Sequence, residues 1–118
     1  GYLGLINHFD DLLYNFFNRL AQEGPDTWVL FTSDHGEMLG DHHLFRKMQP
    51  YEACVRVPFL LSGPGVPAEV TINDPVSLID ILPTFCELAG AEVPDHVEGR
   101  SVLPLLRGER PEPPRIVH

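Results

Sequence analysis

Thr27-Trp28-Val29-Leu30-Phe31-Thr32, running directly into Ser33-Asp34-His35-Gly36-Glu37-Met38-Leu39-Gly40-Asp41-His42-His43-Leu44-Phe45-Arg46-Lys47, decides how this chain is read. The first six residues form a β-branched and aromatic run without polar alternation, the pattern of a strand buried on both faces inside a parallel sheet. From Ser33 onward the chain is polar, His-rich and punctuated by Gly36 and Gly40, which predicts a long loop leaving the strand. Val57–Leu61 is a second apolar run, ended by Ser62-Gly63-Pro64-Gly65, and reads as a second buried strand. Upstream, Leu5, Ile6, Phe9, Leu12, Leu13, Phe16, Phe17 and Leu20 recur at three- and four-residue steps. That spacing predicts an amphipathic helix, stopped at Gly24-Pro25.

Other elements follow from local signals. Tyr51–Arg56 reads as a helical turn. Ser77-Leu78-Ile79-Asp80 has the form of a capping box, with an acid three residues after the N-cap serine. Pro83 suits the first turn of a helix over Thr84–Ala89, which stops at Gly90. From Ala91 onward Gly and Pro dominate, Val102–Leu106 is the apolar anchor, and Arg107–Pro114 is a charged, Pro-rich tail expected to be mobile. The order helix, strand, polar loop, strand, helix places the chain in the α/β class.

Composition narrows the partners. A chain of 118 residues with 43% hydrophobic and 21% charged content is one globular domain. Eight Lys and Arg against 17 Asp and Glu leave a net charge of −9, so the cationic surface that nucleic acid requires is absent. No apolar run approaches the ~18–20 residues of a membrane span, and neither nucleic acid nor membrane is expected as a partner. Cys54 and Cys86 are too few for a disulfide scaffold, match no metal-finger spacing and read as small core residues. The chain opens on Gly1-Tyr2, inside the helical pattern and without an initiator Met, so further sequence upstream is expected.

Ligands of open α/β sheets gather at the carboxyl ends of strands, where the Ser33–Lys47 loop begins. Asp34 and His35 offer one hard oxygen and one imidazole nitrogen, and Gly36 lets the backbone turn sharply behind them. The pair suits a divalent cation, but two ligands do not make a site. Asp34 reads equally as the cap of the following turn and His35 as a surface histidine. Position alone leaves both open.

The segment Phe31–His42, then Lys47, Tyr51-Glu52 and Arg56-Val57-Pro58, resembles the C-terminal metal-and-sulfate segment of the sulfatase family, part of the alkaline phosphatase superfamily of hydrolases. The likeness extends over Tyr2–Leu20, Ser77–Thr84 and Glu98–Leu106, in the family's order. It implies a fragment of an alkaline-phosphatase-like three-layer sandwich with a mostly parallel central sheet. Residues 1–106 would be the C-terminal portion of the catalytic domain and 107–118 a Pro-rich charged tail. By position, Asp34 and His35 would be metal ligands and Lys47 the catalytic lysine on the sulfate oxygens. Many sulfatases have Asn where His35 stands; the His form recurs in sulfatases of sugar and choline esters and in phosphonate monoester hydrolases.

The resemblance further implies one divalent metal ion, calcium or manganese before zinc, and a formylglycine nucleophile made from Cys or Ser in a Cys/Ser-x-Pro-x-Arg motif. Cys54 leads Val-Arg-Val-Pro, Cys86 leads Glu-Leu-Ala-Gly, and no serine heads the full pattern, so the nucleophile is expected upstream and the chain alone is expected to be inactive. The implied substrate is a small-molecule or saccharide sulfate ester. The alternatives are a phosphonate or phosphate ester hydrolase of the same superfamily, and a non-catalytic half-fold module. Doubly buried strands without neighbours would leave apolar sheet surface for self-association.

The remaining candidates stand outside this set. Glu37 and Asp41 would add negative field or contact substrate, and His42 and His43 would lie at the surface or behind the ligands. His8, His96 and His118 are not assigned to the site. Asp10-Asp11 imitates the family's Asp-Asp metal pair but falls on the helix, where it reads as a solvated face. The compartment, cytoplasmic or exported, stays open.

Overall fold

The computed structural model describes residues 1–24 and 26–110; Pro25 and most of the anticipated tail lie outside the described residues. Contacts divide the chain into two compact units, Gly1–Thr32 with Pro58–Gly65, and Ser33–Val57 with Val66–His118.

The first unit holds helix α1 (Tyr2–Glu23) and strands β1 (Val29–Thr32) and β2 (Phe59–Ser62). Helix α1 follows the predicted periodicity and ends at Gly24, whose N–H reaches Leu20 O at 2.8 Å. Gly24 has φ −147° and ψ 59°, so the stop is not the left-handed cap common for glycine. No residue of α1 is buried; Phe9 meets Phe31 with ring centroids 6.2 Å apart. Asp10 and Asp11 are exposed, as their helical position implied.

The strands depart from the expectation drawn for them. β1 and β2 pair antiparallel, with Val29 opposite Ser62 and Thr32 opposite Phe59. All of β1 is half-buried, while β2 alternates, Phe59 and Leu61 half-buried and Leu60 and Ser62 exposed. An uninterrupted apolar run fixes neither the direction of its neighbour nor how many faces are covered. Trp28 closes this unit by donating its indole N–H to Pro64 O at 2.9 Å.

The second unit holds α2 (Glu52–Val55), α3 (Ile81–Ala89) and α4 (Leu103–Leu106), with short 3₁₀ turns at Asp41–His43 and Leu78–Asp80. Its buried residues include Met38, Cys54, Pro83, Val102 and Leu105, together with two polar side chains, Asp80 and Thr84. The Asp80 carboxylate accepts the Ser77 N–H at 2.8 Å, the return half of the anticipated capping box. Its other oxygen accepts the Arg100 N–H, also at 2.8 Å. Thr84 donates its hydroxyl to Asp80 O at 2.6 Å and accepts the Val102 N–H at 3.0 Å. Gly99 lies so close to the Ile79 carbonyl that a Cβ there would stand 2.0 Å from its oxygen.

The stretches 77–84 and 98–106 therefore form one polar-cored knot. Cys54 is buried as expected, but Cys86 is only half-buried, so it is not a core residue among the described contacts. Arg107, placed in the anticipated tail, pairs with Glu87 at 3.3 Å and Glu109 at 2.7 Å.

Candidate functional site

Gly36 turns the chain behind Asp34 and His35. Its N–H donates to Cys54 O at 2.7 Å, and a Cβ at this position would stand 2.0 Å from Ala53 O. Only glycine admits that approach, and it ties the start of the loop to α2. Ser33 Oγ donates to His35 O at 2.8 Å, and the His35 N–H donates to Asp34 Oδ1 at 3.0 Å. The pair is thus held in a tight turn.

The imidazole of His35 is oriented at both nitrogens. Nδ1 lies 2.8 Å from Gly36 O, an acceptor only, which assigns the proton to Nδ1. Nε2 is left with its lone pair outward, 3.2 Å from Asp34 Oδ2 and 2.5 Å from Lys47 Nζ. A lone pair beside a carboxylate oxygen is favourable when positive charge faces both, and the Lys47 ammonium supplies it. A histidine with one ring N–H on a backbone carbonyl and the other nitrogen facing a cation is oriented as metal-ligating histidines are.

The Asp34 side chain is 80% exposed and that of His35 37% exposed, so both donors are open to an incoming ion. Among the described residues, no group of three or more His, Cys, Asp and Glu side chains is placed to hold a metal. Asp34 and His35 stand together as one oxygen and one nitrogen donor, fewer than a metal shell requires.

Electrostatics agree with that orientation. Desolvation, the largest single influence on Asp34, raises its pKa, but attraction to the imidazole and N–H of His35 and to the Lys47 ammonium together outweighs it, and the carboxyl sits below its ordinary 3.8. The sign follows directly. A depressed carboxylate contributes stabilisation that is present above the ordinary value and is lost as pH falls through the lowered one. For so exposed a group the contribution is small. Replacing Lys47 by Gln is expected to move the Asp34 pKa back up, as read by a carbon-13 NMR titration of its side-chain carboxyl. An unmoved pKa would exclude Lys47 from the local field.

Lys47 is delivered by an unusual loop. Leu39, His42, His43 and Arg46 all have positive φ, at 49°, 49°, 59° and 69°. Each such non-glycine residue costs about 1–3 kcal/mol, so the surrounding bonds must over-determine the shape. Met38 N–H donates to Arg46 O at 2.9 Å and Gly40 N–H to Leu44 O at 2.8 Å. The exposed His42 ring stacks on Tyr51 with centroids 4.2 Å apart. Glu37, read from sequence as a field or substrate residue, instead turns its carboxylate onto the loop itself. Oε1 accepts the N–H of Leu39 at 3.3 Å and that of Arg46. Nothing in the sequence flagged this role, because an acid facing backbone amides looks the same in one dimension as an acid facing solvent.

The structure therefore brings together the three residues singled out, Asp34, His35 and Lys47. It leaves His8, His43 and His96 exposed, and His118 lies outside the described residues.

The fold and this arrangement define the class. The family model Sulfatase matches residues 1–91, and the chain belongs to that family. It is 40% identical over 107 residues to the extracellular sulfatase SULF-1 homolog of Drosophila melanogaster, covering 88% of this chain and 10% of that protein. It is 46% identical over 80 residues to arylsulfatase K of Canis lupus familiaris, covering 68% of this chain and 15% of the relative. Among solved structures, the phosphonate monoester hydrolase of Silicibacter pomeroyi superposes with a TM-score of 0.89 at 38% identity. That match covers 97% of this chain and 23% of the neighbour. The chain thus spans under a quarter of each of these proteins, and its α/β fold is that of one segment of an alkaline-phosphatase-like hydrolase.

Proposed function

We propose that this chain supplies the metal-and-oxyanion corner of a hydrolase that cleaves sulfate esters. The observation that carries the reading is the meeting of the Asp34 carboxylate, the outward Nε2 of His35 and the Lys47 ammonium, although Lys47 stands twelve residues beyond His35. An ammonium and a divalent ion make the same demand on these two donors, so the donors are already turned towards a cation. Calcium or manganese suits a carboxylate with one imidazole, and zinc is the third choice.

The metal, when bound, supplies positive charge against the non-bridging oxygens of the ester. The residues of this chain do the rest of the work assigned to the corner. Asp34 and His35 hold the ion, and the Gly36 carbonyl keeps the His35 proton on Nδ1 so that Nε2 stays available. Lys47 donates to the oxygens of the tetrahedral anion and stabilises charge that builds as the ester bond breaks. The nucleophile in this reading is a formylglycine elsewhere in the protein, since no Cys/Ser-x-Pro-x-Arg occurs among the 118 residues.

A second reading within the superfamily, a phosphonate monoester hydrolase, is favoured by the close superposition on such an enzyme. The two are separated by assaying the full-length protein on 4-nitrophenyl sulfate and 4-nitrophenyl phenylphosphonate, before and after chelation. Faster turnover of the sulfate, lost on chelation and restored by calcium or manganese, is expected. A clear preference for the phosphonate would replace the sulfatase reading, and full activity after complete metal removal would end the metal assignment.

A further inference from the structure

We infer that Glu37 is a positioning residue for Lys47, acting as the clasp of the 38–46 loop; this rests on the role proposed above for Lys47. The loop leaves and returns through a narrow neck, where Met38 N–H meets Arg46 O at 2.9 Å. At that neck the Glu37 carboxylate takes two backbone N–H groups, those of Leu39 and Arg46. Arg46 immediately precedes Lys47 and has φ 69°, a conformation that an arginine does not adopt without restraint. Its N–H is held by Glu37 and its carbonyl by Met38 N–H, with the Cys54 thiol 3.6 Å away. Both sides of the Arg46 residue are therefore fixed, and the direction in which Lys47 departs is fixed with them. The side chain of Glu37 is half-buried and spends its acceptor on the loop.

A side chain that must stand beside the Asp34-His35 pair and reach a transferring anion has little tolerance, since a displacement of about 1 Å can lower the rate ~100-fold. Without the clasp, the left-handed residues of the loop relax towards ordinary conformations, and Lys47 is no longer presented at His35. The reach of Glu37 sets whether the clasp closes, while its charge strengthens the two bonds without setting their geometry.

The test is a double-mutant cycle in the full-length protein, on whichever of the two nitrophenyl esters it hydrolyses. Glu37→Ala is expected to lower kcat/KM by about 10- to 100-fold in the native background and by less than about 2-fold in a Lys47→Ala background. Glu37→Gln retains an acceptor of the same reach and is expected to restore most of the rate. Glu37→Asp keeps the charge but falls short by one methylene; it is expected to behave as the alanine variant does, and it serves if that variant does not fold.

Hydrogen exchange provides a readout independent of turnover. The Arg46 amide is expected to exchange at least ~10-fold faster in Glu37→Ala or Glu37→Asp but not in Glu37→Gln, with the amides of α3 unchanged. Equal losses in both backgrounds, or unchanged Arg46 exchange in the alanine and aspartate variants, would overturn the inference. If Lys47→Ala alone leaves kcat/KM unaltered, the role proposed for Lys47 fails. The clasp is then judged by exchange alone.

Discussion

Replacing Lys47 by Ala in the full-length protein is expected to lower kcat by about 10²–10³-fold, while the protein remains folded. The magnitude is that of removing one preorganised donor from an oxyanion site, about 2.7–4 kcal/mol of transition-state stabilisation. Its folded state is expected to be unaffected because the side chain is exposed, and its one described polar contact is His35 Nε2. Charge on the ester oxygens grows as the bond breaks, so the ammonium binds the transition state more strongly than the ground state and the effect falls on kcat. Arg at this position is expected to rescue poorly, because a longer, planar guanidinium does not take the place of a compact ammonium at the oxyanion. Steady-state kinetics decide the matter. A rise in KM with kcat unchanged would show that Lys47 only gathers substrate, and the oxyanion role would fall.

Asp80→Ala is expected to be the most damaging single change to the second unit, costing about 3–5 kcal/mol. Two backbone N–H groups, those of Ser77 and Arg100, each give up a charge-assisted bond of 2.8 Å. Such bonds contribute about 1.5–3 kcal/mol each, and the buried amides left behind add their own penalty. The carboxylate is also what draws segment 98–101 against the start of α3, where Gly99 sits on the Ile79 carbonyl. Gly99→Ala attacks the same joint from the other side, since its new Cβ has backbone and no flexible side chain in front of it. Thermal unfolding of the full-length protein, followed by limited proteolysis, is the check. Cleavage concentrated between residues 77 and 106 is expected for both variants. A transition unchanged in Asp80→Ala would mean that this knot contributes nothing to the stability of the whole.

Much of this architecture was legible one residue at a time. The three- and four-residue spacing of Leu5 through Leu20 is a property of helical geometry, and α1 runs where that spacing put it. Ser77 and Asp80 announced a helix start because their side chains bond to backbone within one turn, and the Asp80 half of that box is present. Gly36 and the Asp34-His35 pair announced a sharp turn after β1, and the motif order announced the sulfatase family.

What escaped the one-dimensional reading depends on where the chain returns to itself. The run Val29–Thr32 is equally apolar beside a parallel or an antiparallel neighbour, and only the pairing with Phe59–Ser62 decided for antiparallel. Asp80 carries a signal for Ser77, three residues away, and none for Arg100, twenty residues away. Glu37 is one acid among 17 acidic residues until its carboxylate is seen on the Arg46 amide.

By itself, then, the sequence determined α1, the capping box before α3 and the turn at Gly36, because each rests on periodicity or on bonds within a few residues, while the resemblance of its motifs to the sulfatase family made Asp34, His35 and Lys47 candidates. The tertiary structure alone decided the strand direction, the proton on His35 Nδ1, the approach of Lys47 and the part Glu37 plays in it. Those features are hydrogen bonds between atoms that only a folded backbone brings within 3 Å or so of one another, and no local propensity encodes which donor such an acceptor will meet.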